Sequence, residues 1–265
     1  MDPLAVTLVL AAAAFHATWN LTLHRTDDRQ AAMAVATLAG GLALSPALVV
    51  RPPGGVLVLA GVSAAAETAY ALFLSAAYRR GQLSLTYPIG RGTAPLLVTL
   101  GGWSALGQRP GAFSVIAACS LGAGLVLVAT GARGRQRGPA IAFALLTGVA
   151  IACYSLVDAR AVRTASPVAY LAMVLLLEGA ILFATTRADV ARLRGAVRPG
   201  LAIAAGSVVA YLLVLFAFQR AHAGPVATLR EVSVLVGVLL ARDRPGGRVW
   251  AGAALVAAGA ILARA

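Results

Sequence analysis

Several full charges stand inside apolar stretches of this sequence, where each could do chemistry away from water. Arg91 is the clearest case, in the segment TYPIGRGTAPLL at residues 86–97. A guanidinium can bind a carboxylate through two parallel hydrogen bonds, and a carboxyl group removed from water holds its proton more tightly. Ion pairing, anion binding and proton transfer are therefore the candidate chemistries. The charges concerned are Glu67, Arg91, Glu178, Arg230 and Glu231.

The segments that position these charges are long and apolar enough to cross a membrane. Of the 265 residues, 60% are hydrophobic and only 12% are charged, half the share of about 25% found in soluble domains. A helix that spans the hydrocarbon core needs about 20 mainly apolar residues. Stretches that meet this requirement follow one another at 4–23, 31–50, 56–78, 83–106, 112–130, 139–157, 167–186, 200–219, 225–241 and 249–263.

The predicted fold class is an all-α membrane protein with ten transmembrane helices. In lipid every backbone polar group needs an internal partner, which a helix supplies, whereas a β-barrel would alternate apolar and polar residues over about ten-residue segments. The runs here are continuous, as in LAVTLVLAAAAF. The connections are too short for a soluble domain, so we expect a multi-pass protein of the cell (inner) membrane.

The basic residues are distributed as helix-end anchors. There are 22 arginines, no lysine and 9 acids, for a net charge of +13. A soluble protein with this balance would suggest nucleic-acid binding, but arginines that punctuate apolar runs face lipid headgroups, so no nucleic-acid partner is expected. In the ten-span arrangement 14 arginines fall on one side and 6 on the other, and Arg91 and Arg230 complete the 22. The positive-inside rule then puts both termini outside the cell.

The two halves of the chain repeat one another. RPGAFSVIAACSLGAGLVL begins at Arg109 and RPGGRVWAGAALVAAGAIL begins at Arg244, an offset of 135 residues, and Arg91 and Arg230 are related by an offset of 139. Five spans in each half is an odd number, so the second half enters the membrane from the opposite side, as inverted repeats do. The predicted units are a five-helix repeat at 1–132, a basic loop at 133–138 and a second five-helix repeat at 139–265.

Four motifs together resemble the drug/metabolite transporter superfamily, in its EamA-like branch. They are FHATWN (15–20), AYRRGQLSLTYPIGRGTAPLL (77–97), YSLVDARAVR (154–163) and LREVSVLVG (229–237). With the repeat, the resemblance covers the whole chain. It implies a ten-helix inverted-repeat carrier whose central cavity is lined mainly by the first, third, fourth, sixth, eighth and ninth helices. Many members export amino acids or other metabolites. The resemblance also implies cytoplasmic termini, so the orientation in the membrane stays open.

Arg91 is expected to line that cavity. Tyr87 stands four residues before it and shares its helix face, and two prolines of the same segment each remove a helix hydrogen bond and can kink the helix. Each deep charge costs about 2.5–3.5 kcal/mol on insertion scales, so it should face a wet interior. Two interpretations stay open for Arg91 and Arg230: they bind an anionic group of the substrate, or they form internal ion pairs, for example of Arg91 with Glu67.

Other polar and aromatic residues complete the predicted site. His16 and Asn20 are four residues apart with Trp19 beside them, a pattern that equally fits hydrogen bonds between helices. The predicted substrate-binding residues are Arg91, Tyr87, Arg230, Glu231, Trp19, Asn20, His16, Glu67, Tyr154 and Tyr211.

Plainer interpretations are favoured for a second group of residues. Asp158 stands near the end of its span, so a solvated helix terminus paired with Arg160 or Arg163 is favoured for it. Ordinary helix packing is favoured over an aromatic wall for Tyr70, Tyr211, Phe216 and Phe218.

The function predicted from these features is secondary transport by alternating access. An enzyme is not expected, because the sequence has no HExxH, P-loop or GxSxG motif, and its three histidines lack the spacing of metal ligands. No metal or cofactor is expected either. The partners expected are a small-molecule substrate and the lipid bilayer, with the protein acting as a monomer or a homodimer.

The charge types suggest a substrate class. Two deep arginines and three deep acids can satisfy both ends of a zwitterion, and an unpaired buried ammonium would be costly. A small amphipathic metabolite, amino-acid-like and moved by export, is therefore preferred, and a drug or cation efflux carrier is the alternative. Glu67 or Glu231 could couple transport to protons, but facilitated diffusion is equally allowed.

Overall fold

The computed structural model describes residues 1–131, 137–186, 190–233 and 246–262, and this part of the chain is helical without strands. The helices of the first half are α1 Pro3–His24, α2 Arg29–Leu44, α3 Pro46–Val50, α4 Leu57–Arg80, α5 Leu83–Leu106 and α6 Ala112–Gly131. Those of the second half are α7 Arg137–Ala161, α8 Pro167–Thr186, α9 Val190–Phe218, α10 Ala223–Leu229 and α11 Gly247–Leu262.

Six helical segments in the described ranges are long and apolar enough to cross a membrane. They are Pro3–His24, Arg29–Val50, Leu57–Arg80, Gly138–Ala161, Pro167–Thr185 and Val190–Phe218. This finding supports the predicted all-α, multi-pass architecture. The predicted count of ten helices stays a prediction, since the end of the ninth stretch (234–241) and most of the basic loop at 133–138 lie outside the described residues.

Several helix boundaries follow from local chemistry. The Asp2 side chain accepts a hydrogen bond of 2.6 Å from the Ala5 backbone N–H and begins α1, as carboxylates do at helix N-termini. Gly107 ends α5 in the left-handed region with φ 66°, where a residue without Cβ has no steric penalty. Helix α5 continues through both of its prolines, Pro88 and Pro95. Helix α9 begins at Val190, ten residues before the predicted span, and continues through Pro199.

The main packing partners of each helix come from the other half of the chain. Helix α1 packs on α9, α4 on α7, α2 on α8 and α9, α5 on α7, and α6 on α11. The two halves therefore interlock. The core lies where the helices of the two halves meet.

Two of these helix pairs make reciprocal glycine contacts. A Cβ on Gly124 would lie 2.6 Å from the Gly252 carbonyl oxygen, and a Cβ on Gly259 would lie 2.7 Å from the Ala117 carbonyl oxygen. Gly124 and Gly259 are 135 residues apart, as are Ala117 and Gly252. The Ser120 hydroxyl donates a hydrogen bond of 2.8 Å to the Leu255 carbonyl, across the same offset of 135 residues. Helices α6 and α11 thus approach to backbone contact, as helices with small residues at their interface do in membranes.

The pair of α2 and α8 repeats this arrangement. A Cβ on Gly41 would lie 2.9 Å from the Leu176 backbone nitrogen, and one on Gly179 would lie 3.1 Å from the Leu38 backbone nitrogen. Gly41 and Gly179 are 138 residues apart, and so are Leu38 and Leu176. In both pairs, the two helices therefore contact each other through positions that correspond in the two halves of the chain.

The glycine contacts predict a position-specific loss of stability. Gly124→Ala should destabilise the protein by about 1–3 kcal/mol, because the added methyl group cannot fit against the backbone of α11 and overpacking costs that much. The measurement is the thermal denaturation midpoint of the purified protein in detergent. Gly122→Ala in the same helix is the control, because the nearest heavy atom to its Cβ would be 3.9 Å away. Equal midpoints for the two variants would contradict the close contact.

An ion pair joins the connection between α1 and α2 to the first turn of α9. Arg192 Nε donates to Asp28 Oδ2 at 2.7 Å and Nη2 to Oδ1 at 3.1 Å, and the two side chains are 38% and 35% exposed. Asp28 Oδ1 also accepts a hydrogen bond of 3.1 Å from the Ala31 backbone and begins α2. The Arg192 hydrogen bonds hold the pKa of Asp28 below its ordinary value, while partial burial opposes the shift.

This lowered pKa predicts a loss of stability in acid. A carboxyl group whose pKa is depressed by folding stabilises the protein above its unfolded pKa of about 3.9, and the effect is lost as the pH falls through the folded value. Asp28→Asn keeps the helix cap and removes the charge, so it should lower the denaturation midpoint at pH 6 by an amount equivalent to less than about 1 kcal/mol. The difference from the unmodified protein should shrink as the pH falls below the unfolded pKa, and it should vanish once the pH is below the lowered pKa of the folded state. A difference that does not change with pH would exclude the ion pair as its cause.

Candidate functional site

A cavity lies near the middle of the helix bundle, between the two halves of the chain. It encloses about 480 Å³ of empty space, counting the space at its mouth. Helices α1, α2 and α4 contribute from one half and α7, α8 and α9 from the other. The lining residues are His16, Trp19, Met33, Thr37, Glu67, Tyr70, Tyr154, Leu171, Leu175, Glu178, Ser207, Val208 and Tyr211.

Half of the predicted site residues line this cavity, and the other half are buried outside its lining. His16, Trp19, Glu67, Tyr154 and Tyr211 are among the lining residues. The remaining predicted residues are all buried, but they are not in the lining of the cavity as described. They are Asn20, Tyr87, Arg91, Arg230 and Glu231.

Two acids line the cavity, and one carboxylate oxygen of each has no hydrogen-bond partner among the described residues. Glu178 is 1% exposed, and its Oε1 has no hydrogen-bond partner among the described residues. The buried Oε1 of Glu67 is also without one. The depth of Glu178 in its span was visible in the sequence, but its position opposite α4 was not, so it was missing from the predicted site. Burial of an unpaired charge is costly, so these acids need a proton, water or a ligand.

Aromatic rings form one wall of the cavity. Tyr154 packs edge to face against Tyr70 and Tyr211, with ring centroids 5.9 and 5.7 Å apart. On α1 the Trp19 Nε1–H donates to His16 Nδ1 at 3.1 Å. Tyr70 and Tyr211 therefore belong to the aromatic wall that was the less favoured interpretation. Phe218 is buried among the helices, and Phe216 is 36% exposed on the outside of α9.

The expectation for Asp158 was wrong. Its side chain is fully buried instead of solvated, and it accepts hydrogen bonds from the Tyr170 hydroxyl at 2.7 Å and from the Tyr211 hydroxyl. These contacts join α7 to α8 and α9 and hold the Tyr211 ring in the cavity wall. Sequence distance from the end of the span was misleading, because α7 continues to Ala161.

Asn20 makes a hydrogen bond between helices. Its side-chain amide donates to the His16 carbonyl at 2.8 Å, and its Oδ1 accepts from the Tyr78 hydroxyl of α4 at 3.2 Å. Asn20 and Asp158 are 138 residues apart, and each accepts a hydrogen bond from a tyrosine of another helix. Both residues therefore stabilise contacts between helices around the cavity.

The arginines form a separate, buried cluster with Glu231. Arg91 Nη2 lies 3.2 Å from Glu231 Oε1, and the two side chains are 4% and 0% exposed. Arg230 is fully buried, and its Nε, Nη1 and Nη2 have no hydrogen-bond partner within the described ranges. Of the two interpretations of Arg91, the internal ion pair is the one observed, although its partner is Glu231 instead of Glu67.

This cluster lies at the end of a short helix. Helix α10 ends at Leu229, and the next turn is tightened by hydrogen bonds from the Glu231 N–H to the Thr228 carbonyl and from the Ser233 N–H to the Arg230 carbonyl, each 3.1 Å long. Hydrogen bonds between residues three positions apart define a 3₁₀ turn, which is frequent at the ends of α-helices. Arg91 and Arg230 are also close enough to His16 and Tyr154 to interact with them electrostatically.

These features define a multi-pass membrane protein with a cavity between its two halves, lined by apolar and aromatic side chains and two acids. Residues 138–265 match the model of the EamA-like transporter family, which is part of the drug/metabolite transporter superfamily. This match confirms the family that the sequence motifs indicated. At the level of the family, this match supports a membrane transporter of the drug/metabolite type and not an enzyme.

Other comparisons bear on the fold alone. A crystal structure of a protein with 19% sequence identity superposes on this chain with a TM-score of 0.72, covering 99% of this chain and 97% of the other. The similarity therefore extends over both halves of the fold. No curated protein matches the sequence.

The buried ion pair predicts strong coupling between its two residues. Arg91→Met or Glu231→Gln alone should each lower the stability, in the first case by about 3–5 kcal/mol, because an uncompensated charge is left in the interior. The double variant should recover much of the loss of Arg91→Met. A double-mutant cycle on denaturation midpoints measures the coupling. Additive effects of the two substitutions would show that the pair contributes nothing as a pair.

Proposed function

We propose that this chain is a secondary transporter that moves a small amphipathic, amino-acid-like metabolite across the cell (inner) membrane by alternating access. The observation that carries the proposal is the central cavity, which both halves of the chain line and which contains charged groups without described partners. In transporters built from repeats, substrates bind near the bilayer midplane where the repeats meet. The position of the cavity between the two halves of the chain supports this proposal.

The ten-helix inverted-repeat arrangement is part of this proposal. The reciprocal contacts of Gly124 with Gly252 and of Gly259 with Ala117 support it, because a two-fold axis between α6 and α11 generates such pairs. The contacts of Gly41 and Gly179 support the same axis between α2 and α8. Two repeats related in this way can exchange conformations, so that the cavity opens to each side of the membrane in turn.

The chemistry of the site supports an amphipathic substrate with an amino group. Glu67 and Glu178 suit an ammonium, while Met33, Leu171 and Leu175 offer an apolar surface to the rest of the molecule. The guanidinium of the buried Arg230 has no hydrogen-bond partner among the described residues and lies outside the lining, so a substrate carboxylate that extends beyond the two acids could reach it. Export is the proposed direction, by analogy with many members of the family.

A drug or cation efflux carrier is the second candidate. One observation favours it, since the lining of the cavity as described has two acids and no arginine. Exchange of a proton for the substrate at these acids would couple transport to the proton gradient, whereas a substrate that moves without a proton would make the protein a facilitator.

Counterflow in proteoliposomes tests the proposal. Protein reconstituted with an unlabelled amino acid inside should accumulate the labelled form, and the solute should be recovered chemically unchanged. Ser207→Trp should abolish this exchange by filling the cavity. Leu201→Trp on the same helix is the control, because Leu201 is 51% exposed on the outside and its replacement should leave exchange intact.

The alternative outcomes are distinct. Exchange of a quaternary ammonium dye without exchange of any amino acid would make the protein a cation carrier. Loss of exchange in Leu201→Trp as severe as in Ser207→Trp, with both proteins folded by size-exclusion chromatography, would remove the cavity from the mechanism.

A further inference from the structure

We infer that the cavity recognises its substrate by a protonated amine, bound between Glu67 and Glu178, and that binding does not require a substrate carboxylate. The inference rests on the proposed function and narrows the substrate class to organic amines with a compact apolar body. Amino acids would belong to this class through their ammonium group, and decarboxylated amines would belong equally.

The first support is the position of the two acids. Glu67 on α4 and Glu178 on α8 line the same cavity, and the buried Oε1 of each lacks a hydrogen-bond partner in the described part of the chain. A buried polar atom without a partner costs more than a satisfied one gains. An ammonium between the two carboxylates would satisfy both atoms with charge-assisted hydrogen bonds, which are about twice as strong as neutral ones.

The second support is the placement of the cationic side chains. Arg91 lies against Glu231 at 3.2 Å, and neither residue is in the cavity lining as described. Arg230 is fully buried outside that lining. His16 also lines the cavity; its Nδ1 accepts a hydrogen bond from Trp19, and its buried Nε2 has no hydrogen-bond partner among the described residues. A substrate carboxylate would therefore meet acids in this cavity before it met a guanidinium.

The third support is the aromatic wall. Trp19, Tyr70, Tyr154 and Tyr211 surround the same space as the two acids. Aromatic faces attract ammonium groups, more strongly when water is excluded. Acids and rings together favour a cationic head, and the leucines of α8 favour an apolar body.

A matched set of three ligands tests the inference. Phenylalanine, phenethylamine and N-acetylphenylalanine share one ring and differ in whether they carry the amine, the carboxylate or both. Binding to the purified protein is measured by the shift of the denaturation midpoint across a ligand titration. Phenethylamine should bind at least as tightly as phenylalanine, and N-acetylphenylalanine should bind at least about tenfold more weakly than either.

Variants of the acids provide the second measurement. Glu67→Gln and Glu178→Gln should each weaken phenethylamine binding by about tenfold or more, whereas Asp28→Asn, which removes an acid outside the cavity lining, should leave it unchanged. Unchanged affinity in both glutamine variants would overturn the inference. If a variant does not fold, the three ligands on the unmodified protein still decide, since binding of N-acetylphenylalanine without phenethylamine, or of none of the three, also overturns it.

Failure of the inference is distinguishable from failure of the proposed function. Counterflow of N-acetylphenylalanine without binding of the amines would keep the protein a transporter and remove amine recognition. Binding of the amines without counterflow of any of the three ligands would keep amine recognition and remove transport.

Discussion

The structure depends on one constraint: a charge in the membrane interior must have a partner or reach a polar cavity. Insertion scales put the cost of an isolated charge at the centre of a helix at about 2.5–3.5 kcal/mol. The buried charged side chains of this protein meet the constraint in three ways. Arg91 is paired with Glu231, Asp158 is satisfied by two tyrosine hydroxyls, and Glu67 and Glu178 are placed on a cavity. The first two arrangements hold helices together, and the third leaves charge for a ligand.

The interlocking of the two halves makes these arrangements compatible. Close backbone approach at Gly124 and Gly41, and at their counterparts, lets α6 pack on α11 and α2 on α8 with little space between them. Aromatic side chains of α1, α4, α7 and α9 meet at the cavity, which these helices share with α2 and α8. Asp158 refines its shape, because it fixes the Tyr211 ring that lines it.

Arg91 and Arg230 lie outside the cavity lining as described. Arg91 neutralises Glu231 beside the 3₁₀ turn after α10, so the position of this turn depends on an ion pair between α5 and the second half of the chain. Any movement of the halves that opens the cavity must keep this pair or break it, and breaking it leaves an uncompensated charge in the interior. The pair is therefore suited to keep the two halves in one relative arrangement until another contact replaces it.

The sequence by itself determined the class of the protein. Composition and the length of the apolar runs predicted a helical multi-pass membrane protein, because a helix of about 20 apolar residues matches the thickness of the hydrocarbon core. The motifs identified the EamA-like family, which residues 138–265 confirm. Depth in a span also identified the buried charges, since hydropathy makes any charged residue in such a run conspicuous. Of the predicted site, His16, Trp19, Glu67, Tyr154 and Tyr211 line the cavity.

Only the tertiary structure decided which arginine forms an ion pair with which acid. Glu231 and Glu67 are both acids within apolar stretches, and nothing local in the sequence shows that Arg91 reaches the first and not the second. The apolar lining residues Met33, Leu171 and Val208 gave no signal either, because a leucine that faces a cavity and one that faces lipid have the same hydropathy. Asp158 was misjudged for a related reason. Distance from a predicted span end is one-dimensional, whereas burial depends on the helices α8 and α9 that pack across it.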